Sequence, residues 1–120
     1  MRAVLRVGEN YEAQIIAYRS APPGKHIKQS VGAIIELTQY ELTIPGAMHE
    51  KVPVSSIGAL HHEGDTVLVV DAVSYTFALE CTSKGERDLL AFAVALVAEC
   101  NLYDADYQLM SMKALKKKYL

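Results

Sequence analysis

The chain has 120 residues, 51% of them hydrophobic and 22% charged, which fits one folded domain and excludes a disordered polymer. No apolar run reaches the ~18 residues of a membrane span, and Met1–Gly8 is too short and too interrupted by arginine for a secretion signal. The formal charge of −2 conceals an asymmetry, because Lys113, Lys116, Lys117 and Lys118 lie in the last eight positions and residues 1–112 hold 8 basic and 14 acidic groups.

An acidic body with a basic tail argues against a nucleic-acid-binding body. The expected compartment is the cytoplasm. The two cysteines agree with that: if Cys81 ends a strand and Cys100 ends a helix, ~16 helical residues at 1.5 Å rise hold them more than 20 Å apart. A disulfide needs Cα atoms within ~7 Å, so both are expected to be free thiols.

Tyr11 to Arg19 reads as a strand, ended by Ser20-Ala21-Pro22-Pro23-Gly24, where two prolines and a glycine make a loop. From His26 to Leu37 the positions Ile27, Gln29, Val31, Ala33, Ile35 and Leu37 alternate, which predicts one long strand with a buried face. Thr38-Gln39-Tyr40 turns the chain into a strand over Glu41–Ile44, stopped by Pro45-Gly46. Two shorter strands follow, Val52–Val54 and Ile57–His61, with Pro53 suggesting a sheet edge. Glu63-Gly64-Asp65 is a hairpin turn into Thr66–Val70, and Ser74–Cys81 is the last strand. About seven strands at this spacing predict an antiparallel barrel or sandwich.

From Ser83 to Cys100 the pattern is helical. Ser83-Lys84-Gly85-Glu86 fits a capping box, and Leu89, Phe92, Ala93, Leu96, Val97 and Cys100 form an apolar stripe. Leu89 to Ala98 contains no polar residue, so this helix needs cover on both sides, from the C-terminal segment or from another chain. Asn101 is read as the helix C-cap, Asp104 to Leu115 as a second helix, and Lys116–Leu120 as a frayed end. The division is thus a body over 1–103 and a helical, basic tail over 104–120.

Gly32–Ile44 resembles the central hairpin of bacterial pleckstrin-homology (PH) and GRAM domains, where a strand ending in Leu-Thr turns into a second strand. Val52-Pro53-Val54-Ser55-Ser56-Ile57 is similar to the segment that follows in those families, and Tyr75-Thr76-Phe77 before the capped helix completes a match over roughly residues 11 to 100. The family's turn asparagine is Gln39 here and its usual arginine is Glu41. The resemblance implies a seven-stranded PH-like barrel capped by one C-terminal helix.

Candidates for chemistry are few. Adjacent histidines on a strand point to opposite faces, so His61 and His62 do not share an ion, and no metal-binding spacing supports them. His49-Glu50 is equally unspecific. Cys81 and Cys100 lie in apolar sequence, which raises a thiol pKa, and there is no nucleophile elbow or phosphate-binding loop. Asp104 and Asp106 are read as charges at a helix N-terminus rather than an acid–base pair. The expectation is a protein that is not an enzyme and takes no cofactor or metal.

Two binding surfaces remain. The first is the outer face of the Ser83–Cys100 helix, with Leu90, Phe92 and Val94 as the candidate contacts for a protein partner or a second copy. In PH-like domains peptides often add along the groove between helix and sheet edge, here lined by Leu90, Val94 and Val52–Ser56. The second is an anionic membrane. The resemblance places basic lipid contacts in the loop between the first two strands, here Arg19, Lys25 and Lys28, and the tail adds Lys113, Lys116, Lys117 and Lys118 with Tyr119 and Leu120 for insertion.

Overall fold

The computed structural model describes residues 10–20, 25–27, 31–44 and 49–120, with side chains over 35–44 and 49–120. Among these residues nine strands appear: β1 (Asn10–Ser20), β2 (Lys25–Ile27), β3 (Val31–Leu37), β4 (Glu41–Thr43), β5 (Lys51–Pro53), β6 (Ile57–Glu63), β7 (Val67–Ala72), β8 (Thr76–Cys81) and β9 (Asn101–Tyr103). A 3₁₀ turn at Val54–Ser56 joins β5 to β6, and two helices, α1 (Lys84–Ala98) and α2 (Met112–Tyr119), complete the chain. The architecture is sheet-dominated, with α1 following the last antiparallel strand.

The strands form one hydrogen-bonded path in the order β5-β4-β3-β1-β8-β7-β6-β9, with β2 paired to β1. All pairings are antiparallel except β6 with β9. Among the described residues the strand predicted over His26–Leu37 is seen as β2 and β3, both antiparallel to β1, while residues 28–30 between them lie outside the described residues; the segment after α1 adds β9, which the sequence reading did not expect. The proline–glycine loop after Ser20, Lys28 and the Pro45-Gly46 stop lie outside the described residues.

The expected closed barrel is not formed: β5 and β9 end the path, and no ladder joins them among the described residues. Two causes are visible. β9 occupies the edge of β6 that would have to pair for closure. At the other end, Pro53 has no N–H, and its carbonyl accepts the Ser56 hydroxyl at 2.7 Å. Pro53 does therefore mark an edge, and that edge is blunted.

One glycine decides which histidine is buried. The β6–β7 register shifts between Ile57 and Ala59, a bulge centred on Gly58. Ile57 faces inward, and one extra residue moves the inward set to Leu60 and His62. Without the bulge the period of two would bury His61 instead.

Ser83 caps α1, its hydroxyl accepting the Glu86 N–H at 3.1 Å, as the capping pattern predicts. The C-cap is Glu99, not Asn101: Glu99 lies in the left-handed region at φ 53°, and Asn101 already belongs to β9. The stripe turned to the sheet is also not the one predicted. Leu90, Ala91 and Val94 are buried with the sheet core, while Leu89, Val97 and Cys100 are only half-buried. With no polar residue over ten positions, periodicity could not tell the two apolar faces apart.

Candidate functional site

Leu90, Phe92 and Val94 are each 0% exposed, so none of the three forms an outer interface in this chain. Leu90 and Val94 are in the sheet core. Phe92 lies beneath Tyr119 of α2, with ring centroids 5.1 Å apart. Of the two covers open to the apolar helix, the C-terminal segment is the one present. The groove proposed beside Val52–Ser56 meets the blunted β5 edge, which offers no N–H at Pro53 and a carbonyl already occupied.

The tail is ordered differently from its sequence reading. No helix starts at Asp104. Instead the Asp104 carboxylate accepts the N–H groups of Asp106 and Gln108, both at 2.9 Å, and folds residues 104–110 into a tight turn. Leu109 pairs with Tyr103, and the Met110 N–H donates to the Leu102 carbonyl at 2.8 Å. Side-chain capping by aspartate competes with helix here, as it does in Asx turns generally.

Helix α2 begins after Ser111, whose hydroxyl accepts the Ala114 N–H at 3.2 Å. Met112, Leu115 and Tyr119, at i, i+3 and i+7, are half-buried against the body. Lys116–Leu120 does not fray; the Leu120 N–H donates to the Lys116 carbonyl at 2.8 Å. Lys113, Lys116, Lys117 and Lys118 are all exposed, and no ion pair forms on them among the described residues. Lys118 sits over its neighbour Tyr119, 5.2 Å from the ring centre. Tyr119 and Leu120 are half-buried, which removes them as free membrane anchors.

Between the C-terminal end of α1 and α2 lies an open cleft of about 340 Å³ lined by Leu96, Glu99, Cys100, Asn101, Met112 and Lys116. The Cys100 thiol is pushed up to about 11 by burial, and burial raises Cys81 to about 12. Both are free and held as neutral thiols, poor nucleophiles.

The basic residues of the first hairpin are placed only by backbone register: Arg19 pairs with His26 and Lys25 with Ser20. Lys28 lies outside the described residues. Among the described residues no group of three or more histidine, cysteine or carboxylate side chains is placed to hold a metal ion. His61 and His62 are parted as the sequence reading expects, His61 stacking on Tyr107 at 4.1 Å. His49 stacks on Tyr75 at 3.8 Å.

Sequence reasoning missed Arg87. The residue is 2% exposed, yet its guanidinium is well satisfied: Nη1 donates to the carbonyls of Gly64 at 3.2 Å and Val67 at 2.9 Å, and Nε donates to Asp88 at 2.8 Å. Gly64 holds a left-handed φ of 55°, the conformation that presents its carbonyl here. Arg87 therefore ties the β6–β7 turn to α1. The signal was available, since Arg87 precedes Leu90, Ala91 and Val94 at i+3, i+4 and i+7 on the sheet-facing stripe. His62 sits nearby, 8% exposed, its Nε2 without a hydrogen-bond partner among the described residues. Burial, and then the Arg87 charge, lower its pKa to about 4.

No protein-family model matches the chain, and no curated protein is significantly similar to it.

Proposed function

We propose that this chain is a non-catalytic, PH-like binding module that associates peripherally with anionic membranes, with the outer face of α2 as its principal contact. One observation carries this reading: four exposed lysines on an ordered helix, without ion pairs among the described residues, on a body of opposite charge. The antiparallel run ending in a capped helix supports the PH-like part of the proposal.

The magnitudes fit a reversible contact. Each lysine near an anionic surface contributes about 1 kcal/mol, so four give about 4 kcal/mol, a millimolar partition on charge alone. The acidic body repels the same surface, which orients the molecule with α2 toward the lipid. Arg19, Lys25 and Lys28 would add to this only if they face the same way.

The test is vesicle co-sedimentation at low and moderate salt, comparing the full chain with a variant in which all four tail lysines are glutamine. Truncating α2 would be a poor control, because it would uncover Phe92. Binding that disappears with added salt and in the glutamine variant supports the reading. Equal pelleting of both chains, or none at low salt, defeats it.

A second reading, a protein partner or second copy on α1, is favoured by the cleft between α1 and α2. It requires α2 to lift from Phe92, so it predicts association that grows when the Phe92–Tyr119 contact is weakened.

A further inference from the structure

Four large hydrophobic side chains are notably exposed among the described residues: Tyr40, Val73, Tyr107 and Leu109. Two of these, Tyr107 at 73% and Leu109 at 62%, share the turn that leads into α2. Leu109 is four residues from Lys113, so the two lie at most ~14 Å apart.

We infer that this turn is a shallow insertion element, with Leu109 and Tyr107 entering the interfacial layer of an anionic membrane beside the α2 lysines. The inference rests on the membrane reading above and adds to it the apolar contacts that charge alone does not supply.

The turn is built rather than loose. Asp104 accepts two N–H groups, the Tyr107 N–H donates to the Asp104 carbonyl at 3.0 Å, and the Asp104 N–H donates to Gln108 at 2.9 Å. Tyr107 takes φ 60°, a region that residues with a Cβ rarely adopt. From here the chain divides its side chains. Leu102, Met110, Met112 and Leu115 pack on the body, while Tyr107 and Leu109 are left outside.

Tyr107 lies flat on His61, leaving the rest of its ring and its hydroxyl to the surroundings, an amphipathic geometry suited to a headgroup layer. A turn already ordered loses little conformational freedom on contact. One exposed carboxylate, Asp106, shares the turn; Asp104 is engaged by the backbone. An exposed leucine and tyrosine next to a cationic helix match the chemistry of an interfacial anchor.

The chain contains no tryptophan, so Leu109→Trp supplies a single fluorescent reporter. The probe is a vesicle of phosphatidylcholine with about 30% phosphatidylserine, the anionic lipid that gives such a surface its charge. The expected result is a blue shift of the reporter, quenched by lipids brominated on the acyl chain, together with about tenfold weaker vesicle binding by Leu109→Ser. If wild type binds but the reporter does not shift and Leu109→Ser binds equally, insertion is overturned while the lysine contact stands. If wild type binds no vesicle, the membrane reading itself fails and insertion falls with it. Retention on immobilised polyglutamate without vesicle binding would likewise overturn both and assign the surface to an acidic polypeptide.

Discussion

Two sets of positive charge, one at each end of the reach of α1, contrast with one another. At the first turn, a single guanidinium is buried and occupied: Arg87 holds two carbonyls of the β6–β7 turn and one carboxylate. Against the far end, α2 displays four ammonium groups to solvent with no carboxylate paired to them among the described residues. A buried charge with filled hydrogen bonds is committed to the fold, because removing it strands its partners. An exposed charge contributes little to stability and is free to meet a partner. Substitutions at the two places should therefore separate cleanly, the first changing unfolding and the second changing binding.

The largest effect is expected at Arg87. Arg87→Met keeps the apolar length but leaves the Gly64 and Val67 carbonyls without this donor and Asp88 with Lys84 alone, at a cost of about 3 kcal/mol. Denaturant unfolding measures it, and an unchanged midpoint would show that water satisfies those groups equally well. The salt dependence of vesicle binding should not move.

His62 sharpens the same end through pH. It binds its proton near 6.5 when unfolded and near 4 in the fold, so the unfolded chain is favoured by protons across that interval. Stability from this residue is complete above pH 6.5, falls as pH drops toward 4, and changes no further below. The full span is worth up to about 3 kcal/mol. His62→Leu should flatten the profile between pH 6.5 and 4; a persistent slope would locate the titration elsewhere. Asp88 acts lower: burial raises its pKa, but hydrogen bonds from Arg87 and Lys84 outweigh that and leave it below the ordinary carboxylate value. Its contribution is present above the usual aspartate range and fades on further acidification.

These two residues also mark how far the sequence could be read. The strand run, the Thr38–Tyr40 turn, the Pro53 edge and the Ser83 cap were legible because each rests on local chemistry. The Thr38 hydroxyl, for instance, accepts the N–H groups of Tyr40 and Glu41, both at 3.1 Å. What was not legible depends on parity or on long-range choice. The bulge at Gly58 sends His62 rather than His61 inside; an isolated glycine in a strand hints at a bulge without fixing which face follows it. The ten apolar residues of α1 show that the helix is covered without showing which face meets the sheet. Asp104 fits a helix start and an Asx turn equally, and the pairing of β9 with β6 decided for the turn. The exposure of the tail lysines was legible; the burial of Leu90, Phe92 and Val94 was not, because the sheet covers Leu90 and Val94 and α2 covers Phe92.

At the α2 end the expected effects are smaller and fall on binding. Lys113→Gln with Lys117→Gln removes two surface charges, about 2 kcal/mol, or roughly thirtyfold in vesicle affinity at low salt. The unfolding midpoint should stay within about 0.5 kcal/mol of wild type, as for exposed positions generally. A stability loss comparable to that at Arg87 would mean that these lysines serve the fold, and the contrast between the two ends would collapse.

The smallest effect is expected at the contact that joins α2 to α1. Tyr119→Ala removes the stack on Phe92, about 1 kcal/mol beyond the area lost, while Tyr119→Phe retains it. An eight-residue helix has little intrinsic stability, so α2 depends on this packing together with Met112 and Leu115. Hydrogen exchange over Met112–Tyr119 should accelerate about fivefold in the alanine variant and hardly at all in the phenylalanine variant. The consequence depends on which binding surface the chain uses. A membrane contact made by an ordered α2 weakens when the helix loosens, whereas a protein contact on α1 strengthens because Phe92 and Leu96 become available. Vesicle binding and sedimentation equilibrium on the same variant read the two directions separately. A shift to dimers with intact vesicle binding would move the functional surface from α2 to the face it covers.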